Sequence, residues 1–103
     1  MELIETSLFT KQVQANLSEG EYRLLQLHLV VRPDDGDLIP GSGGLRKLRW
    51  QLPGRGKRAG TRIIYYWRSA ADQIFLLSLY RKNVRSTLSL GELRALRKLI
   101  ADE

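Results

Sequence analysis

The pattern of hydrophobic and polar positions predicts helices towards both ends of the chain. Apolar residues recur at near-helical spacing after Thr6 and, more regularly, after Ser18. Ser18 and Ser89 are each followed three residues later by a glutamate, which is the spacing of a capping box. Two N-terminal helices are therefore expected, the second ending before Pro33 because proline disfavours helical geometry in the preceding residue. A third helix is expected after Ser89.

Strand signals fill the region between the second and third helices. Three segments are rich in β-branched, aromatic and leucine residues: Leu45–Leu52, Thr61–Arg68 and Gln73–Lys82. Short links join them, which favours an antiparallel meander. Residues 2–5 predict a short first strand, and the glycine- and proline-rich segment 33–44 predicts a loop. The expected fold class is α+β, an antiparallel β-sheet with two N-terminal helices and a C-terminal helix packed on one face.

Because side chains alternate between the two faces of a strand, the three segments divide into two sets. One set is large and apolar and is predicted to form the core against the helices: Leu48, Trp50, Leu52, Ile63, Tyr65, Trp67, Phe75, Leu77 and Leu79. The other set is rich in cations and tyrosines: Lys47, Arg49, Gln51, Arg62, Ile64, Tyr66, Arg68, Ser78, Tyr80 and Lys82. We call this second set the basic face, and we expect it to face water, as one side of an antiparallel sheet often does.

Composition narrows the class of protein. The 103 residues are 43% hydrophobic, which suits a single domain over residues 1–103 with one core. The chain has no cysteine and one histidine, so thiolate and multi-histidine metal sites are not expected, and neither is a cofactor. No apolar run is long enough to span a membrane and the N-terminus does not resemble a signal peptide, so a cytoplasmic protein is expected.

The charge is high and unevenly distributed. The net charge is +6 and the pI is about 10.1. Residues 1–40 hold three basic and seven acidic residues, whereas the span from Arg46 to Arg68 holds eight basic residues and no acidic one. A basic region of this kind is typical of a polyanion-binding surface. The alternative is a solvated basic face without a partner.

Nucleic acid is the polyanion that best fits this pattern, because lysine and arginine contacts to phosphate dominate nucleic-acid affinity. Tyr66 and Tyr80 are expected to stack on unpaired bases, or else to pack over arginine and lysine stems. There is no Walker A sequence, and a Ser–His–Asp set is not expected around the single histidine. That residue, His28, lies in a leucine-rich helix, where a structural role is expected.

Three stretches carry a resemblance to a known family: GDLIPGSGGLRKLRW, GRGKRAGTRIIYYW and IFLLSLYRKN, followed by an amphipathic helix. In order and composition they resemble the RelE/HigB-like toxins of bacterial type II toxin–antitoxin systems, the HigB-type branch most of all. The resemblance covers nearly the whole chain. It implies a RelE-like fold, ribosome-dependent cleavage of messenger RNA in the A site, and neutralisation by an antitoxin encoded in the same operon.

Carried over residue by residue, the family's catalytic cations fall on Lys47, Arg62 and Lys82. A tyrosine that acts on the RNA in the best-known branch is replaced here by Leu88. Further basic and aromatic residues are expected to bind RNA or the ribosome: Arg46, Arg49, Arg55, Lys57, Arg58, Tyr66, Arg68, Tyr80 and Arg81.

The chemistry required of these residues is metal-independent RNA cleavage, in which the RNA supplies its own 2′-OH nucleophile. Lys47 or Lys82 is assigned to proton transfer, because like charges lower the pKa of a lysine, while Arg62 and Arg49 stabilise charge. Expected partners are the ribosome, mRNA or rRNA, and a helix-turn-helix antitoxin. Two alternatives remain at this stage: a non-enzymatic gyrase poison on the same fold, like the ParE branch, and a plain RNA-binding module.

Overall fold

The computed structural model describes residues 1–51 and 60–100, and these form a five-stranded sheet with helices on both sides. The elements in chain order are β1 (Glu2–Glu5), α1 (Ser7–Asn16), α2 (Glu19–Val31), β2 (Asp37–Leu38), β3 (Arg46–Trp50), β4 (Thr61–Arg68), a 3-10 turn (Ser69–Ala71), β5 (Gln73–Arg81) and α3 (Leu90–Arg97). The predicted α+β class is confirmed. The described helices are too short or too polar to cross a membrane.

Each helix begins directly after its predicted N-cap residue. The Thr6 hydroxyl accepts a hydrogen bond from the Phe9 N–H and starts α1. Ser18 and Ser89 close capping boxes with Glu21 and Glu92, so α2 and α3 begin with two backbone donors satisfied. The predicted end of α2 before Pro33 is confirmed, because Val31 is its last residue.

The order of strands in the sheet is β1-β5-β4-β3-β2. The predicted antiparallel meander of β3, β4 and β5 is confirmed. Two features differ from the expectation: β1 pairs with β5 in parallel, and the segment predicted as loop contains the two-residue strand β2. The sheet is therefore mixed, with one parallel pair at its β1 edge and antiparallel pairs elsewhere.

One core lies between the sheet and the first two helices. Phe9 and Val13 from α1 and Leu25 and Leu29 from α2 are buried against strand residues. The strand residues of this core are Leu48, Ile63, Tyr65, Ile74, Leu76 and Leu79. Burying each large apolar side chain contributes about 1.5–3 kcal/mol, so this layer supplies much of the stability. Trp50 and Trp67, predicted in this core, pack against it half-buried.

A second core lies on the opposite side of the sheet, under α3. Leu93, Leu96 and Ile100 pack there on sheet residues from β4 and β5 and on Leu45. The expectation that all helices pack on one face was therefore wrong. The closing amphipathic helix covers part of the face that was expected to be open to water.

The predicted faces of β5 were also wrong in part. Phe75 and Leu77 belong to the second core, while Ile74 and Leu76 face α1 and α2. The cause is a register shift between β4 and β5, where Ile64 pairs with Ser78 but Tyr65 pairs with Leu76. An extra residue in one strand of a pair switches the faces of everything beyond it.

Candidate active site

The basic residues predicted on one face of β3 and β4 lie side by side. Arg49 is the register partner of Arg62, and Arg62 is the register partner of Tyr80, so these three form one row across β3, β4 and β5. Lys47 lies two residues from Arg49 on the same face and pairs with Ile64. We call Lys47, Arg49 and Arg62 the cationic cluster. Arg49 is exposed, and the other two are partly buried.

Two clefts open on the cationic cluster. The first has a volume of about 210 Å³, and the residues that line it include Lys47, Arg49, Tyr80 and Leu88. The second has a volume of about 240 Å³ and is lined by Arg49, Trp50, Gln51, Gly60, Arg62 and Lys82. Arg49 lines both, so the two clefts share a cationic residue.

The three residues that the resemblance assigned to catalysis all line these clefts. Lys47 lies in the first cleft, while Arg62 and Lys82 lie in the second. Lys82 follows β5, where its backbone N–H donates to the carbonyl oxygen of Gly60 at 2.9 Å and its side chain is exposed. The fold thus brings together residues from three separate segments of the chain.

Burial and like charge both act on Lys47. Desolvation lowers the pKa of its amine, and the nearby guanidinium groups of Arg49 and Arg62 lower it further. A lysine with a lowered pKa is neutral more of the time, so it accepts a proton more readily than an ordinary lysine. The arginines remain charged and suit the stabilisation of a phosphate.

The two tyrosines predicted to stack on bases are covered by the protein. The side chain of Tyr80 is buried at 7% exposure under the second core, so its ring is not available to a base. Tyr66 is half-buried, and the Arg97 guanidinium lies 4.7 Å from its ring centroid. Sequence alternation placed both tyrosines on the correct face but did not reveal that α3 covers it.

Three predicted RNA-binding arginines lie away from the cationic cluster. Arg46 donates to the carbonyl oxygens of Asp34 and Gly36 at 3.0 and 2.8 Å. Arg81 donates to the side chain and backbone of Asn16, both at 2.9 Å. Arg68 lies over the Phe75 ring. These contacts tie Arg46 to the loop after α2 and Arg81 to the end of α1.

Three further predicted RNA-binding residues, Arg55, Lys57 and Arg58, lie outside the described residues.

His28 has the structural surroundings expected of it. Its Nε2 lies 2.7 Å from the Asp35 carboxylate, and its ring packs 4.9 Å from that of Trp50. Both contacts are on the α2 side of the sheet, although Trp50 also lines the second cleft.

The segment before α3 contributes residues that sequence reasoning missed. Thr87 lines the first cleft, and Arg85 forms a two-pronged ion pair with Glu92 close to Tyr80. The capping-box signal identified Glu92 as a cap. The ion pair could not be foreseen, because it joins residues seven positions apart across a non-helical turn.

Comparison with known proteins identifies the fold. No protein-family model matches the chain. A structure of a double arginine-to-alanine mutant of the E. coli toxin RelE in the free state matches with a TM-score of 0.62 at 14% identity, over 93% of this chain and 95% of that one. The isolated E. coli RelE toxin, in a P21 crystal form, matches with a TM-score of 0.54 at 14% identity, over 96% and 98% of the two chains. The architecture is therefore the RelE-like fold that the sequence resemblance implied.

Proposed function

We propose that this protein is the toxin of a type II toxin–antitoxin system, a ribosome-dependent endoribonuclease that cuts mRNA in the A site and stops translation. The observation that carries the proposal is the cationic cluster, which opens onto two clefts on a RelE-like fold. Three cations lie close together on one face, and two of them, Arg49 and Arg62, are directly opposed, so a bound RNA phosphate would relieve their repulsion. Lys82 extends the same surface.

The proposed reaction needs no metal. The 2′-OH of the RNA attacks the adjacent phosphorus, the bond to the 5′-oxygen breaks, and a 2′,3′-cyclic phosphate and a 5′-OH result. A lysine, Lys47 or Lys82, accepts the proton of the 2′-OH, and a protonated lysine supplies one to the departing 5′-oxygen. Lys47 is the stronger candidate for the base, because burial and two neighbouring arginines lower its pKa and so increase the fraction of neutral amine. Arg49 and Arg62 stabilise the charge that develops on the phosphate oxygens.

Dependence on the ribosome follows from the modest strength of these groups. Lysine is ordinarily protonated at neutral pH, so proton removal by a single lysine is slow. The ribosome would hold the mRNA in a reactive geometry. Such orientation lowers the activation barrier by about 7–11 kcal/mol in favourable cases, which supplies what the side chains lack. Free RNA is accordingly expected to be a poor substrate.

The proposed partners are the ribosome with its mRNA and a neutralising antitoxin, for which a helix-turn-helix DNA-binding protein encoded next to this gene is the candidate. The proposed site of action is the cytoplasm, where the ribosomes are. Co-expression of that neighbouring protein should restore growth to cells that make the toxin.

The test is expression without an antitoxin, followed by mapping of mRNA ends on ribosomes. Growth arrest with messages cut inside codons supports the proposal. DNA breaks without mRNA cuts would indicate a gyrase poison, and neither effect would indicate a simple RNA-binding module. Efficient metal-free cutting of naked RNA would contradict the dependence on the ribosome.

A further inference from the structure

The Tyr80 hydroxyl is a buried polar group without a hydrogen-bond partner in the described structure. Leaving such a group unpaired destabilises a folded protein, so each instance calls for an explanation. Four described side chains share this property, the others being Trp50, Thr61 and Trp67. Of these four, Tyr80 is the one that lines the cleft containing Lys47.

The surroundings of Tyr80 suit a hydrogen-bond donor rather than an anion. Burial raises the pKa of its hydroxyl, Arg62 and Arg85 lower it, and Glu92 raises it, with burial the largest effect. The hydroxyl therefore keeps its proton at neutral pH. The apolar side chains of Ile64 and Leu88 line the same cleft, and a low local dielectric strengthens any hydrogen bond formed there.

The sheet register places these side chains next to one another. Tyr80 is the register partner of Arg62, which is the register partner of Arg49, and Lys47 and Arg49 line the same cleft as Tyr80. A phosphate held by these cations has oxygens that gain negative charge as the 2′-OH attacks. A neutral hydroxyl beside them offers a hydrogen bond that becomes stronger as that charge develops.

We propose that the Tyr80 hydroxyl donates a hydrogen bond to a non-bridging oxygen of the RNA phosphate held by the cationic cluster. This role rests on the proposed ribonuclease function and assigns to the reaction a residue that the sequence had suggested for base stacking. The hydroxyl is shielded from solvent, so the phosphate reaches it by displacing lining side chains. Thr87 and Leu88 belong to the segment between β5 and α3, which has no regular secondary structure.

The first test is the variant Tyr80→Phe, which removes the hydroxyl and keeps the ring of the second core. Single-turnover cleavage on saturating programmed ribosomes should slow about 100-fold, the effect of removing one donor to a developing oxyanion. The ribosome concentration for half-saturation should not rise, and the melting temperature should not fall. The control is Tyr22→Phe, which removes a tyrosine hydroxyl on α2 outside both clefts and should cleave at the wild-type rate.

Two results would overturn the role: an unchanged cleavage rate in Tyr80→Phe, or a loss of rate that tracks a lowered melting temperature. A second measurement does not need cleavage. Protein labelled with 3-fluorotyrosine is titrated with a 2′-O-methyl trinucleotide, which cannot be cut, and the Tyr80 fluorine signal is assigned by its absence in Tyr80→Phe. A shift of that signal supports the contact even if the ribonuclease proposal fails, and an unmoved Tyr80 signal overturns it.

Discussion

Arg49 and Arg62 are register partners on β3 and β4, so two guanidinium groups face each other across adjacent strands. Like charges placed directly opposite on a sheet are destabilising, and neither residue forms an ion pair to an acidic side chain within residues 1–51 and 60–100. Local departures from the rules of stability are expected at functional sites. The pair therefore supports the anionic ligand that we propose for this face.

The variant Arg62→Gln should lose activity without losing stability. Removing one of two opposed charges should leave the free energy of unfolding unchanged or raise it by about 0.2–1 kcal/mol. Cleavage should fall about 10²- to 10³-fold, because a group that stabilises the transition state is lost. Urea unfolding and growth arrest at matched expression measure the two effects.

The matched control for this variant is Arg23→Gln, which removes the same charge from an exposed position on α2, across the sheet from the cationic cluster. It should remain toxic. Growth arrest by Arg62→Gln equal to that of the wild type would show that the site lies elsewhere.

A second prediction concerns the titration of Lys47. The variant Arg49→Gln should raise the pKa of Lys47 towards its ordinary value of 10.5, because one of the charges that lowers it is gone. If Lys47 is the base, the cleavage rate increases with pH through this pKa, and the increase moves to higher pH in the variant. NMR titration of the Lys47 side chain reads the pKa directly, and an unmoved pKa would contradict the electrostatic coupling.

The same shift has a consequence for stability. Because the pKa of Lys47 is lower in the folded protein, the unfolded chain binds more protons between the two pKa values. The Lys47 contribution to the free energy of unfolding therefore increases with pH across that window. Comparing Lys47→Met with the wild type over that range isolates this contribution, which the variant lacks.

Local signals were sufficient to predict most of the fold. The caps at Thr6, Ser18 and Ser89 depend on residues within one turn, so they can be read without knowledge of the tertiary structure. Alternation in β3 and β4 also placed Lys47 and Arg62 on one face correctly. These segments alternate clearly between apolar and polar residues, which fixes the face that each residue occupies.

Non-local packing was the part that the sequence could not supply. The run from Ile74 to Leu77 is apolar throughout, as is typical of a strand buried on both faces, and it contains no alternation to reveal the register shift. The cover of α3 over Tyr80 likewise depends on contacts between distant segments. Tyr80, which was predicted to be exposed, is for this reason buried.

A third prediction tests the loop beside the first core. The Tyr65 hydroxyl donates to the Pro33 carbonyl oxygen and accepts from the Gly36 N–H, both at 2.8 Å. The variant Tyr65→Phe leaves the buried Gly36 N–H unpaired and should lower the free energy of unfolding by about 1–3 kcal/mol. Tyr80→Phe, which removes a hydroxyl without a described partner, should cause no such loss. Equal urea midpoints for the two variants would contradict this account.

The last prediction compares two arginines on opposite faces of β3. Arg49 is exposed on the cationic cluster, whereas Arg46 is engaged by the carbonyl oxygens of Asp34 and Gly36 and lies 5.9 Å from the Trp67 ring centroid. Arg49→Gln should reduce the salt dependence of ribosome or RNA binding by about one counterion, with stability retained. Arg46→Gln should instead lower the free energy of unfolding by about 1–3 kcal/mol and leave the salt slope unchanged. Binding measured over a range of KCl concentrations separates the two, and equal slopes for Arg49→Gln and the wild type would place the phosphate contacts outside the cationic cluster.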